Sequence, residues 1–250
     1  MKTYSAGFAH VYNLRWAGFA QQVAAHIAGF YATTPLVVAN QNVLDLCCGT
    51  GQLALHFLES GYRVTGIDLS QHMLRYAIDN NRRYIDAGLA QFINADATRF
   101  SLNRQFGLVV STYDSLNHLE DEDALQQCFD CVSAVCDGYF IFDLNTRTGL
   151  RHRSGIQIDD SEEMIIIFHR LYDGEEDKAW SRITGFLQTE NGLFERFDET
   201  AFNTIFSIER VRTMLLETGW KNVHCAHVHD LGTPVADPEK EGRIFLVAGK

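Results

Sequence analysis

Two hydrophobic periods alternate along the first 145 residues of the chain. NVLDLC (42–47), YRVTGID (62–68), AQFINAD (90–96), FGLVVST (106–112) and GYFIFDLN (138–145) are short apolar runs. Runs of that kind read as strands buried on both faces. Between them GQLALHFLES, SQHMLRYAIDNN and EDEDALQQCFDCVSAV carry apolar residues at helical spacing. Ser70 stands where a helix N-cap belongs, and the acids opening EDEDALQQ suit the positive end of a helix dipole. Strand–helix repetition of this kind predicts a parallel sheet with helices on both faces.

The rhythm then changes. Residues 162–203, EEMIIIFHRLYDGEEDKAWSRITGFLQTENGLFERFDETAFN, hold three β-rich runs. Asp173-Gly174 and Asn191-Gly192 lie between them, and such dipeptides favour hairpin turns. A three-stranded antiparallel meander inserted after strand five is expected. SIERVRTMLLETGW follows as a helix with Ser207 as N-cap and Gly219 just past its end. KNVHCAHVHD and GRIFLVAG read as two more strands, and an aromatic-rich helical segment, residues 4–31, precedes everything. The expected organisation is one domain over 1–250, with an N-terminal helical lid (1–35), a core (36–150), a β insertion (155–203) and a C-terminal end of the core (204–250).

Composition narrows the partners. The chain has 250 residues and a formal net charge of −11, without a basic stripe; its densest basic stretch is Arg147, Arg151, His152 and Arg153. Nucleic acid and anionic membranes both call for clustered cations, so a small-molecule substrate is expected. No apolar run approaches the ~20 residues that span a bilayer. MKTYSAGFAHVYNLRW lacks the apolar core of a secretory signal, and a cytoplasmic location is expected. Of the six cysteines, Cys128, Cys131 and Cys136 fall in a segment of helical period and read as small apolar side chains. Cys225 lies among His224, His227 and His229, and His227 and His229 would share one strand face. Two ligands fall short of a metal site, and no metal is expected.

The chemistry concentrates in VLDLCCGTGQLAL, residues 43–55. Glycines there leave a strand and open a helix, where free N–H groups and a positive dipole end meet a ligand. Glycine lets that ligand approach the backbone. A phosphate-binding P-loop needs Gly-Lys-Ser/Thr, and this loop continues Gly51-Gln52-Leu53. A dinucleotide fingerprint places its third glycine where Ala54 stands, and that pattern sometimes tolerates alanine there. Asp68 ends the second strand 17 residues after Gly51 and can accept from two ribose hydroxyls. Asp96 ends the third strand, suited to an exocyclic adenine amine, with the Ala97 N–H donating to the ring. Asp45 is an acid inside an apolar strand and needs a partner, either the loop's own N–H groups or an ammonium.

Together VLDLCCGTGQLAL, VTGIDLSQHMLRYA, FINADATRF and FGLVVSTYDSLNHL resemble the class I S-adenosylmethionine-dependent methyltransferases, over about residues 8 to 250. The resemblance is strongest to a bacterial small-molecule subgroup with a short β insertion and a Tyr-containing N-terminal segment. It implies a Rossmann-like, mostly parallel seven-stranded α/β sheet whose last strand is antiparallel. It also implies S-adenosylmethionine as cofactor and S-adenosylhomocysteine as product. By that likeness Asp45, Cys47, Gly49 and Gly51 line the methionine part, and Asp68 holds the ribose. Leu69 and Met73 sandwich the adenine, Asp96 and Ala97 read its edge, and Ser111 or Thr112 offers a carbonyl to the ammonium. Two departures stand out: Cys47 occupies a usual glycine position, and the N-terminal motif reads Tyr12-Asn13 rather than Tyr-Asp.

On the acceptor side the exit of the fourth strand offers Tyr113, Asp114, Asn117 and His118, and Asn145 ends the fifth. His118 would orient an amine or accept a proton, as histidines do in related amine and sugar methyltransferases, or else satisfy loop backbone. Tyr12 and Trp16 would close the site as a lid or pack on the core. Phe186, Phe194, Phe197 and Phe202 of the insertion would cover substrate or form a small core of their own. Arg147, Arg151 and Arg153 could hold an acidic substrate, although most surface arginines are only solvated. The expected function is methyl transfer to N or O of a small molecule by in-line displacement. That chemistry needs alignment and exclusion of water more than a side-chain nucleophile. An NAD-dependent oxidoreductase and a non-catalytic S-adenosylmethionine-binding protein are the alternatives.

Overall fold

The structure is a computed structural model describing residues 4–172, 174–189 and 191–250. Five strands, β1 (Asn42–Leu46), β2 (Arg63–Asp68), β3 (Ala90–Asn94), β4 (Phe106–Ser111) and β5 (Cys136–Asn145), run parallel. Two later strands complete their sheet, β10 (Asn222–Ala226) and β11 (Arg243–Gly249), in the order β10-β11-β5-β4-β1-β2-β3. β11 is antiparallel to both of its neighbours. The seven-stranded sheet is therefore the one expected.

Helices cover both faces because every core strand is apolar on both. One face packs against α7 (Glu122–Val135) and α9 (Ile208–Glu217), with Phe129, Phe140, Phe142, Met214 and Trp220 at its centre. The other packs against α2 (Ala17–Ala32) and α4 (Gln52–Glu59) through Ile27, Tyr31, Leu53 and Phe57. Ser70 caps α5 (Gln71–Asn80) by accepting from the Met73 N–H at 3.4 Å, and Ser207 caps α9 through the Arg210 N–H at 3.4 Å. Asp121 caps α7, accepting from the Ala124 N–H at 2.9 Å. Cys128 is buried in the α7 core, and burial pushes its thiol above the ordinary range. Such a thiol packs as a small hydrophobe.

The insertion is a separate four-stranded antiparallel sheet in the order β6 (Gly155–Asp160), β7 (Met164–Leu171), β8 (Lys178–Gln188), β9 (Phe194–Thr204). Three strands were expected. The fourth, β6, escapes a reading by hydrophobicity because its pattern is inverted. Ile156 and Ile158 face solvent, at 68% and 61% exposure, while Gly155, Gln157 and Asp159 lie opposite the inward residues of β7. Gly192 adopts φ 79°, as a tight turn between β8 and β9 asks. Asp173 of the other expected turn lies outside the described residues, and its neighbour Gly174 has φ 95°.

A second correction concerns the strand KNVHCAHVHD. β10 ends at Ala226, and an isolated bridge from His227 to Asp230 turns the chain. His227 and His229 stack face to face beyond the strand, with ring centroids 5.3 Å apart.

The N-terminal segment joins core and insertion. It comprises α1 (Ala6–Val11), a π-helical turn (Tyr12–Trp16) and α2. Phe8, Val11, Met73 of α5 and Met164, Ile166, Phe168 and Ile183 of the insertion form one apolar cluster. The Ser5 N–H donates to Glu199 Oε1 of β9 at 2.7 Å, and Trp16 packs on Phe168 with centroids 5.6 Å apart. Gly7 leaves room for Phe197, whose ring would lie 2.9 Å from a Cβ there.

Candidate active site

The ends of β1, β2, β4 and β5, the N-terminal segment and the inner face of the four-stranded sheet enclose a cavity of about 620 Å³. That volume lies within the range of small-molecule sites.

One end is built of main chain. Cys47, Gly49 and Gly51 adopt φ 59°, 53° and 77° in the turn from β1 to α4. A Cβ on Gly51 would sit 2.7 Å from Asn81 Nδ2 and 3.0 Å from Ala77 Cα, so two independent constraints require glycine. Cys47 holds a left-handed conformation that glycine would adopt without strain. The residue is half-buried on the cavity wall, and burial followed by the charge of Asp68 pushes its thiol well above the ordinary cysteine range. The sulfur is thus a neutral wall element rather than a nucleophile. Asn13 Oδ1 accepts from Gln52 Nε2 at 3.0 Å and Asn80 Nδ2 at 2.9 Å. The amide at the usual acid position thereby ties the π-helical turn to the glycine loop.

Asp68 faces this end. Its carboxylate accepts from the Gly49 N–H and the Ser70 N–H, both at 2.8 Å. Burial raises its pKa, and those two donors oppose the rise. Leu69 and Met73 line the cavity beside it. Asp45 lies below the loop, 2% exposed, with Oδ2 unpartnered. Burial, then the Asp68 charge, pushes its pKa up to about 8. The buried Ser111 Oγ is likewise without a hydrogen-bond partner among the described residues.

The other end is built of side chains. Tyr113 and Asp114 hold left-handed φ values of 66° and 51°, and Arg243 of β11 pins them. It pairs with Asp114 at 2.5 Å and with the buried Asp143, and its guanidinium lies over the Phe19 and Tyr113 rings at 4.8 and 5.5 Å. Burial pulls the Arg243 pKa down, but the two carboxylates outweigh it and raise it. His118 Nδ1 is 2.6 Å from the Phe202 carbonyl. A carbonyl only accepts, so Nδ1 carries the proton, and Nε2 is the accepting nitrogen of the neutral ring. Tyr4 reaches that Nε2 through its hydroxyl at 3.4 Å while stacking on Phe8.

Of the residues singled out from sequence, Tyr12, Cys47, Gly49, Asp68, Leu69, Met73, Tyr113, Asp114, His118 and Asn145 line this cavity. Asp96 does not: its Oδ1 accepts from the Thr98 N–H and hydroxyl, and its Oδ2 pairs with Arg99 at 3.2 Å. Ala97, Ser111 and Thr112 also lie outside the wall. Asn117 is fully buried and donates to the carbonyls of Asn145 and Thr204, which makes it a brace of the loop rather than a wall residue. Trp16 and Phe202 reach the cavity, Phe197 belongs to the apolar cluster, and Phe194 is 47% exposed. Sequence reading missed Tyr4, Glu199 and Arg170 on the wall. The only signal for Arg170 was a cation closing the inward stripe Met164, Ile166, Phe168.

A solved structure described as an S-adenosylmethionine-dependent methyltransferase from Clostridium acetobutylicum shares this fold at TM-score 0.77 and 24% identity, over 97% of each chain. The family described as "Methyltransferase domain" matches residues 43–137, which contain the glycine loop, Asp68 and His118. A putative methyltransferase of Geobacillus sp. is 28% identical over 214 residues, 84% of this chain and 85% of that one. Residues 43–137 of the chain carry a methyltransferase domain. That segment is the one on which the dinucleotide-dependent alternative rested, and it matches a methyltransferase domain instead. The chain is also 32% identical, over 126 residues and 49% of each chain, to the dTDP-3-amino-3,4,6-trideoxy-alpha-D-glucopyranose N,N-dimethyltransferase of Streptomyces venezuelae. Among its described residues no helix is long and apolar enough to cross a membrane.

Proposed function

We propose that this chain is an S-adenosylmethionine-dependent methyltransferase that acts on a nitrogen or oxygen of a small-molecule acceptor, bound between the exits of β4 and β5 and the inner face of the four-stranded sheet. The observation that carries this reading is the continuity of one cavity from Gly49 and Asp68 to Tyr113, His118 and the insertion. The Streptomyces relative, by its name, methylates an amine on a sugar, which favours nitrogen.

The loop end suits the cofactor. Each Asp68 oxygen takes one backbone N–H and keeps a lone pair for a ribose hydroxyl. Leu69 and Met73 offer apolar faces to the adenine. Asp96, with Ala97, would read the adenine edge after yielding Arg99, a side chain 81% exposed and loosely held. Glycine at 49 and 51 lets the methionine part approach main chain. The unpartnered Asp45 Oδ2 and Ser111 Oγ fit a donor such as an ammonium, and Thr112 would add its carbonyl. When bound, S-adenosylmethionine supplies a methyl group on positively charged sulfur, already activated for displacement.

The rest falls to alignment. Tyr12 and Tyr4 close the site against water. Burial holds both phenols above their ordinary pKa, so they act as donors. His118 Nε2 accepts the proton that an amine or hydroxyl loses on methylation. Tyr113, Asp114 and Asn145 shape the acceptor's bed.

Transfer of labelled methyl from S-adenosylmethionine to a panel of amines, phenols and carboxylic acids tests this. Label is expected on small amines or hydroxyl compounds. Label appearing only on added protein or RNA would contradict the reading.

A further inference from the structure

We propose that Arg170 and Arg153 form an anion subsite, so that the acceptor carries a carboxylate or phosphate held at the insertion while its reacting atom lies near His118. The proposal rests on the small-molecule methyltransferase reading and names its substrate class.

The inward face of β7 is apolar for three alternate positions, Met164, Ile166 and Phe168, which pack with Phe8 and Met73. The fourth position is Arg170, half-buried on the cavity wall. Its row across the sheet is Gly155, Arg170, Ser181 and Ala201. Three small residues therefore flank one guanidinium, and the space beside it is free for a ligand.

The partners fix the arginines without neutralising them. Arg170 lies over the Phe168 ring at 4.5 Å and donates to Gln157 Oε1 at 2.9 Å. Arg153 donates to Asn145 Oδ1 at 3.3 Å. Both acceptors are neutral amides. Among the described residues neither arginine makes an ion pair, whereas Arg147, Arg151, Arg182, Arg196 and Arg243 all do. Three acids on the same wall are engaged elsewhere: Asp114 with Arg243, Glu199 with the Ser5 N–H, and Asp68 with the glycine loop. Asp159 sits opposite Ile166, two rows along from Gln157.

Burial, and then the charge of Arg153, lower the Arg170 pKa, and both cations act on the Tyr113 phenol. Arg153, Arg170 and Tyr113 all line the same cavity. Holding like charges together in a half-buried cavity is unfavourable until an anion enters. A guanidinium fork matches a carboxylate or phosphate with two parallel bonds.

Calorimetric titration of phenyl phosphate, benzoate and neutral benzyl alcohol tests the subsite, with and without saturating S-adenosylhomocysteine. At least one anion is expected to bind about tenfold or more tightly than the alcohol. Arg170→Met should weaken it by about tenfold, Arg153→Met by less, and Arg170→Lys should restore part of the loss. S-adenosylhomocysteine affinity should stay within about twofold in every variant, which also reports that each is folded. Tighter phenyl phosphate assigns phosphate, and tighter benzoate assigns carboxylate. Equal binding of the alcohol, no anion binding, or anion affinity unchanged in Arg170→Met would overturn the proposal. Failure of the wild-type protein to bind S-adenosylhomocysteine would instead overturn the cofactor-site reading, and the titration without it would still report on the arginines.

Discussion

Around Gly49 the cavity wall is main chain, bent through three alternate left-handed positions and held by Asp68 and Asn81. Around Arg170 it is side chains projecting from a sheet whose outer face is solvated. The first end demands particular backbone angles, so its residue types are restricted and its function can be read from few letters. The second demands only that side chains of some chemistry point inward, and that chemistry is free to change with the acceptor. Arg243 stands at the seam, anchored on β11 and gripping the exits of β4 and β5.

Breaking the seam should have the largest effect. Arg243→Met leaves the fully buried Asp143 and the partly buried Asp114 without a counter-charge. A loss of roughly 3–5 kcal/mol in urea unfolding is expected. A loss under about 1 kcal/mol would mean that the two ends do not depend on this residue.

His118→Ala tests the side-chain end. It should lower kcat by about a hundredfold while S-adenosylhomocysteine affinity is unchanged. Unchanged kcat would leave the bond to the Phe202 carbonyl as this residue's whole role.

The loop end carries a smaller, pH-dependent signature. Folding holds the Asp45 pKa near 8, far above its unfolded value of 3.8. Between those values the folded protein keeps a proton that the unfolded chain releases. Stability therefore falls as pH rises through that window, by up to ~1.4 kcal/mol per pH unit, and levels off above it. Asp45→Asn should flatten this part of the slope when unfolding is measured at pH 5.5 and 7.5. An unaltered slope would place the proton elsewhere.

The same contrast explains what the sequence disclosed. Buried parallel strands are continuous apolar runs, and Ser70, Asp121 and Ser207 announce their helices by local hydrogen bonds, so the sheet and its covering helices were legible. Asp68 and the glycines were legible for the same local reason. β6 was not, because its isoleucines face water and its polar residues face the cavity. Tyr4 and Glu199 become neighbours only when a segment at residue 4 meets a strand near 199, through a contact no local pattern encodes. Of the three arginines singled out, position on α8 (Arg147–His152) and just past its end decided the outcome. Arg147 and Arg151 turn to Gly174 and nearby acids, and Arg153 turns to the cavity.

The central claim is that one end of the cavity holds the cofactor and the other selects the acceptor. S-adenosylhomocysteine affinity, measured by calorimetry on Asp68→Ala beside Arg170→Met, tests it most directly. The account predicts a loss of about a hundredfold or more for Asp68→Ala, the scale of two charge-assisted hydrogen bonds, and no more than about twofold for Arg170→Met. Equal affinity in Asp68→Ala and the wild type, or an equal loss in both variants, would contradict it.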